Sequence, residues 1–408
     1  MPVAGPAGPS PADRERWRRA DLEARPRRLE RLRAALAQDS LDAYFGLRPE
    51  NGRYLTGFVL GDGEEKVCGA SGRFLVSADE SVVVADSRYR LQAIEECPAS
   101  RVVELASGFV EAWPELVASL RAIGGGAAGG VRRIGVEAGF LSHAEWLRLA
   151  EATPSLQLVP VEGLVEGQRQ SKETAELERV RAACAVADAA LSATLPEIRG
   201  GVSERELALA LEWRMRSDGA DGLAFDVACL SGPRAALPHG SPGERLVRGG
   251  EVLLFDFGAR VEGYRSDMTR TLFVGEPGAA DLAVYQLVAA AQEAALELLR
   301  EAVRERRPVT NRQVDAAARD VIEAAGHGPH FGHGTGHGIG LATHELPSLG
   351  RAAPEAPLPS PTVFSVEPGI YLDAVTGVRI EDLVWLDGAA GSVGLLTGFP
   401  RSVTVVGE

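Results

Sequence analysis

The chain has 408 residues, 45% hydrophobic and 25% charged, with 47 Gly and 24 Pro. That apolar share supports a buried core and excludes disordered and collagen-like classes, while the length suggests two or three domains. Forty-three basic against 57 acidic residues leave a net charge of −14, which repels phosphate backbones and anionic lipid, so neither nucleic acid nor membrane is expected as a partner.

The opening MPVAGPAGPSPADRERWRRA carries Pro and Gly where a secretory signal would carry a continuous apolar run, so no signal peptide is expected. No stretch approaches the roughly 18–20 uninterrupted apolar residues of a membrane span, and a soluble protein is expected. Residues 1–12 read as a disordered tail. From 13 to 38, nine arginines alternate with acids and with Leu22, Leu29, Leu32 and Leu36 at helical spacing, which predicts a helix with a solvated basic face rather than a binding arm. Strand-like runs at 41–47, 73–76, 81–86 and 132–137 alternate with helical patterns near 88–96 and 109–122, giving an α/β domain over 13–165. The glycine-rich run 124–130 has the spelling of a dinucleotide-binding loop. A helix precedes it and a strand follows, the reverse of the order that aims a helix N-terminus at pyrophosphate, so it reads as a plain loop.

A polar stretch near 160–170 marks a boundary, and a second domain over 166–408 begins with a helix from about 172 to 195. Capping boxes at Ser203/Glu206 and Thr310/Gln313 start two more helices. Strand-like runs at 223–230, 251–259, 267–274, 361–372 and 377–386 mix with these helices in an α+β pattern. Lys66 and Lys172 are the only lysines. Neither follows a glycine, so there is no phosphate loop, and both lie in charge-rich stretches ill suited to Schiff-base chemistry. Cys68, Cys97, Cys184 and Cys229 form no CxxC pair, which argues against a zinc ribbon or redox dithiol and for a reduced, cytoplasmic setting. GxSxG and HExxH are absent, so neither a serine-nucleophile elbow nor a thermolysin-like zinc site is expected.

Six of the seven histidines (His239, His327, His330, His333, His337 and His344) lie between 239 and 344, three of them in the glycine-rich segment FGHGTGHGIGLATHE. Glycines at that density are kept where backbone must pass close to something. Four acids interrupt apolar strands: Asp256, Asp267, Glu367 and Glu381. A hairpin turning around Val261, Glu262 and Gly263 would make Asp256 and Asp267 directly opposed partners, and a turn containing Asp373 and Gly377 would do the same for Glu367 and Glu381. Opposed carboxylates in an apolar strand need a cation, since alone they cost several kcal/mol or become protonated. Arg270 or Arg379 could serve. Divalent Mn, Co or Zn suits hard carboxylate oxygens with one imidazole better, and bridging carboxylates can hold two such ions.

DFG…DMTRT, FGHGTGHGIGLATHE, SVEPGIY and VRIED, in this order, resemble the M24 metallopeptidase family of aminopeptidase P, prolidase and methionine aminopeptidase, with its pita-bread catalytic domain. In the first domain RYLTGF, GASGRFLV and DSRYRLQA resemble the creatinase-like amino-terminal domain of the Xaa-Pro enzymes. The resemblance implies two divalent metal ions, Mn in the first instance with Co or Zn as alternatives, held by Asp256, Asp267, His337, Glu367 and Glu381. It implies that Asp267 and Glu381 bridge the ions, that His239 and His344 contact substrate, that Glu367 relays a proton, and that His333 and Arg379 stand on the substrate side or behind the ligands. It further implies a peptide substrate with proline second, aminopeptidase P-like action with prolidase-like action on dipeptides as the alternative, and a homodimer. A metal-free hydrolase of creatinase type and a non-catalytic peptide-binding platform are the competing expectations. Five intact ligand positions argue against the first, and the intact ligand set and substrate histidines against the second.

Overall fold

The computed structural model describes residues 8–61, 70–106, 108–124 and 130–407. It divides into two compact units: Arg18–Gln168, and Arg169–Glu408 together with the residues up to Trp17. Of the tail expected at 1–12, the first seven residues lie outside the described set, and Pro11 opens a helix that runs to Gln38. Lys66, Cys68 and most of the glycine run 124–130 also lie outside it.

The unit Arg18–Gln168 is built on six strands, β1 (Ala43–Gly46), β2 (Phe74–Val76), β3 (Ser81–Ala85), β4 (Arg101–Glu104), β5 (Arg133–Glu137) and β6 (Gln157–Val161), in the order β4-β3-β2-β1-β5-β6. β2 runs antiparallel to both β1 and β3, whereas β1–β5, β3–β4 and β5–β6 are parallel. Every residue of β3, SVVVA, is buried, as a continuous apolar run in a sheet covered on both faces requires. The helix Pro11–Gln38 keeps part of the expected solvated basic face, with Arg16, Arg18, Arg19, Arg27 and Arg31 exposed, but not all of it. Arg25 and Arg28 are buried, and their guanidinium groups donate to the carbonyls of Glu96 and Tyr54 at 3.0 Å each. Both acceptors lie in the last turns of short helices, where carbonyls have no intrahelical partner.

The second unit carries β7 (Gly222–Leu223), β8 (Ala228–Ser231), β9 (Val252–Phe257), β10 (Ala259–Val261), β11 (Tyr264–Arg265), β12 (Met268–Val274), β13 (Gly336–Gly338), β14 (Glu345–Leu349), β15 (Thr362–Val366), β16 (Gly369–Leu372), β17 (Thr376–Arg379), β18 (Asp382–Asp387), β19 (Ser392–Leu395) and β20 (Val405–Val406). They form antiparallel sheets β20-β12-β9-β8 (β20 alone parallel), β14-β13-β15-β18-β19, β11-β10-β7 and β16-β17. Two apolar cores flank them. One joins the helices Thr174–Thr194 and Glu204–Ser217 to Leu253, Phe255, Met268 and Leu272; the other joins Ala279–Glu305 and Asn311–Ala324 to Phe364, Val366, Ile370 and Val384. The capping boxes at Ser203/Glu206 and Thr310/Gln313 are present. Ala279–Glu305 is long and apolar enough to cross a membrane by length and composition; here Val284, Val288, Ala291, Ala295 and Leu299 line the second core.

Candidate active site

Asp267, Glu367 and Glu381 sit where strands begin or end, and Asp256 lies within β9. Glu262 and Gly263 both have positive φ, 47° and 78°, so β10 and β11 close through a two-residue turn whose twist suits a hairpin. That turn corrects the expected register: Thr269, not Asp267, lies opposite Asp256. Asp267 is displaced by two residues and therefore keeps the same face, as a diagonal neighbour. For the other pair the expectation holds. β15–β18 and β16–β17 share one register, Val366 facing Asp382 and Gly369 facing Arg379, which sets Glu367 opposite Glu381. Pro368 has no N–H to give to a ladder, and the pairing is interrupted there.

His337 enters from β13, its ring held by Nδ1 against the Gly338 carbonyl at 3.1 Å. Its Nε2 then lies 3.2 Å from Glu367 and 3.7 Å from Asp267. One ligand atom from each of Asp267, His337 and Glu381 lies within 4.8 Å of the others, a spacing one metal ion can span. Arg379 does not fill that space. It lies behind the acids, with Nη2 2.5 Å from Asp256, Nε donating to Thr269 Oγ1 and Nη1 to Tyr371 Oη, both at 2.8 Å. Thr269 Oγ1 in turn donates to Glu381 at 2.8 Å. Arg270, the other expected counter-ion, pairs with Asp382 at 2.6 Å and donates to the backbone carbonyls of Thr269 and Glu381, not to the clustered carboxylates.

Asp267 and Glu381 are buried, Asp256 and Glu367 are partly so, and the acids are short of partners. Asp256 Oδ1 and Glu381 Oε1 have no hydrogen-bond partner among the described residues. Burial pushes Asp267 well above the usual carboxylate range, with repulsion from Glu381, Asp256 and Glu367 added. Burial and the charges of Glu367 and Asp256 do the same to Glu381. Asp256 is raised by burial, which Arg379 only partly offsets. Burial acts on Glu367 in the same sense, but its hydrogen bond and charge contact with His337 bring it down to about 2. Oxygen-rich donors, two orphaned lone-pair sites and one imidazole are the surroundings a hard divalent cation completes.

The remaining histidines divide. His344 leans on His337, ring centroids 4.1 Å apart and planes tilted by 58°, and its residue is otherwise exposed. Burial, then the charge of His337 and of His239 and Arg265, holds its imidazole below the ordinary value. His239 is exposed just after the short helical turn Gly232–Ala236, within electrostatic reach of His344. His333 joins the network through Tyr371, Nε2 to Oη at 2.9 Å. His327 and His330 stand apart, facing each other. The sequence reading overlooked Tyr371, Thr269 and Ser365, the last of which donates to Glu367 at 2.9 Å. Their positions inside GIY, DMTRT and FSVEP, within four residues of a carboxylate, were the available signal.

Residues 178–387 match the profile described as metallopeptidase family M24, and residues 28–171 the creatinase/prolidase N-terminal domain. The chain belongs to metallopeptidase family M24. It is a hydrolase with the family's pita-bread catalytic domain behind a creatinase-like domain, and membership implies divalent metal ions. Among similar proteins is the Xaa-Pro dipeptidase of Pyrococcus furiosus, 31% identical over 357 residues, covering 88% of this chain and 94% of that protein. The solved Xaa-Pro dipeptidase from Bacillus anthracis superposes with a TM-score of 0.82 at 32% identity, over 93% of this chain and 99% of that one. The X-Pro aminopeptidase from Thermotoga maritima does so with 0.76 at 34% identity, over 90% and 98%.

Proposed function

We propose that the protein is a dinuclear metal-dependent exopeptidase that hydrolyses the Xaa-Pro bond at the N-terminus of peptides. The supporting observation is the convergence of Asp267, His337 and Glu381, flanked by Asp256 and Glu367, around the orphaned oxygens of Asp256 and Glu381. These five residues would hold the ions, most suitably Mn given the oxygen-rich set, with Co or Zn accepted by the same donors. Bound there, divalent cations supply a water activated near neutral pH and polarise the scissile carbonyl. The chain's own groups do the rest. His344 and His239 donate hydrogen bonds to the oxygen on which charge develops. Glu367, fixed by Ser365 and His337, carries the proton to the leaving proline nitrogen. Arg379 and Thr269 keep Asp256 and Glu381 aimed. The free, buried Cys97, Cys184 and Cys229 suit a reducing, cytoplasmic setting.

A second reading, action on Xaa-Pro dipeptides, is favoured by the names of the relatives from P. furiosus and B. anthracis. One experiment separates them: metal analysis of purified protein beside hydrolysis of a Xaa-Pro dipeptide and of a pentapeptide with proline second. Faster cleavage of the pentapeptide is expected. A marked dipeptide preference would establish the second reading, and cleavage of neither by metal-loaded protein would refute both.

A further inference from the structure

His344 lies between two residues that cations tie down. On one side, Arg265 Nη1 donates to Thr343 Oγ1 at 2.8 Å and to the Ala224 carbonyl at 2.5 Å, while its own N–H donates to the Gly340 carbonyl at 2.9 Å. On the other, the Glu345 carboxylate turns inward to a buried ion triad. Lys172 Nζ meets one oxygen at 2.6 Å and Arg169 binds the other, with side-chain exposures of 2%, 1% and 2% for Glu345, Lys172 and Arg169. Lys172 Nζ also donates to the Arg169 carbonyl. Burial alone would raise the Glu345 carboxyl; the two cations hold it below its ordinary range.

Charge burial of this kind is a poor device for stability alone. Each buried ion costs several kcal/mol in desolvation, and a well-packed apolar trio is often as stable or more so; what an ion set adds is a single geometry. The residue types carry the same message. The chain has 43 basic residues, of which all but Lys66 and Lys172 are arginine. At 172 the space is narrow: a Cβ on Gly340 would lie 2.4 Å from Glu345 Oε1 and 3.2 Å from Lys172 Nζ. A compact ammonium fits where a planar guanidinium fork does not. The Lys172 N–H also donates to the Pro361 carbonyl at 3.0 Å, just ahead of β15, whose end carries Glu367. One short segment thus sets the His344 arm against the Glu367 strand.

We propose that Arg169, Lys172 and Glu345 are positioning residues that hold the His344 imidazole over the carboxylate cluster, and that lysine is required at 172. The proposal rests on the reading of His344 as a substrate-contacting group. In metal-loaded full-length protein acting on a Xaa-Pro peptide, Glu345→Gln and Lys172→Arg should each lower kcat by about 100-fold, the scale of a 1 Å misplacement, with KM and bound metal unchanged. In a His344→Ala background Glu345→Gln should add no further loss; losses that multiply in full, or that follow a fall in bound metal, would overturn the proposal. A second readout needs neither turnover nor metal. The His344 imidazole resonance, assigned by its disappearance in His344→Ala, should shift in Lys172→Arg while that of His239 stays in place. A stationary His344 signal overturns positioning even if the chain cleaves no Xaa-Pro peptide, in which case the functional reading fails separately. Lys172→Arg keeps the charge, so it answers even where Glu345→Gln does not fold.

Discussion

Asp267 and Arg379 are both buried beside the same carboxylates, yet the structure gives them unequal work. Asp267 contributes an oxygen to the cluster itself, whereas Arg379 only orients Asp256, Thr269 and Tyr371. Asp267→Ala is therefore expected to abolish peptide cleavage and remove most bound metal. Arg379→Lys, which keeps the charge but loses the fork, should cost about 10–100-fold in metal affinity or activity, the usual range for groups behind the ligands. Metal analysis and kcat/KM for the two variants check the ranking, and equal losses would contradict it. Four of the five ligand candidates were legible in the sequence because acids in apolar strands are conspicuous, and the fifth, His337, through the glycine-rich histidine segment and the family it resembles. Tyr371 and Thr269 were not, because Tyr and Thr are ordinary strand residues and only their partners betray them.

A second residue-scale device is Asp315. It accepts from both arms of Arg319 at 2.9 and 2.8 Å and from the Thr335 N–H and hydroxyl at 2.9 Å each, while Arg319 donates to the Phe331 and His333 carbonyls. Breaking such a buried pair from one side costs about 3–5 kcal/mol, the expected penalty for Asp315→Asn. Burial raises the Asp315 carboxyl, but Arg319 and Thr335 bring it below its ordinary value. A lowered folded-state pKa contributes stability that is present above the unfolded value of about 3.9 and lost as pH falls through the folded one. The gap in denaturant stability between wild type and Asp315→Asn should accordingly be constant from pH 7 to 5 and shrink below about pH 4. A gap that persists at the acid end would rule this account out.

At the scale of elements, the strands carrying the site were readable and their exact pairing only in part. Alternation and β-branched runs mark β9, β12, β15 and β18, but Glu262 at positive φ, which moves the Asp256 hairpin by two residues, is invisible when the residue is not glycine or asparagine. β4 and β6, with partly exposed residues, and the helix His143–Ala152, with Leu149 its only buried residue, gave too weak a period to be drawn from sequence. Glycines that read as mere loop content prove to be contact points. A Cβ at Gly336 would lie 1.9 Å from the Ser365 carbonyl oxygen, and one at Gly338 2.1 Å from that of Leu346. Neither neighbour is a movable side-chain end, so β13 must shift to admit a methyl group. Gly336→Ala should lower stability by about 1–3 kcal/mol, as overpacking does, and weaken metal binding because His337 shifts with the strand. Chemical denaturation and metal titration on this variant would show it, and unchanged metal affinity would mean that His337 is held by something other than β13.

At the scale of the whole molecule, the five candidate ligands all lie in the unit that begins at Arg169, and none in Arg18–Gln168. Ligation would tie β9, β12, β13, β15 and β18 to one another where buried oxygens otherwise repel. Anything that binds the native state alone stabilises it by RT ln(1 + [L]/Kd), about 2.7 kcal/mol at a hundredfold excess over Kd. Local opening of the strands that bear the ligands must first release the ion, whereas opening β1–β6 need not. Adding Mn²⁺ to chelator-treated protein should therefore slow amide hydrogen exchange in β12, β13, β15 and β18, with β1–β6 unchanged. In Asp267→Ala the added protection should vanish. Slowing spread evenly over both units would mean that the ion acts elsewhere, and protection that survives in Asp267→Ala would remove that carboxylate from the ligand set.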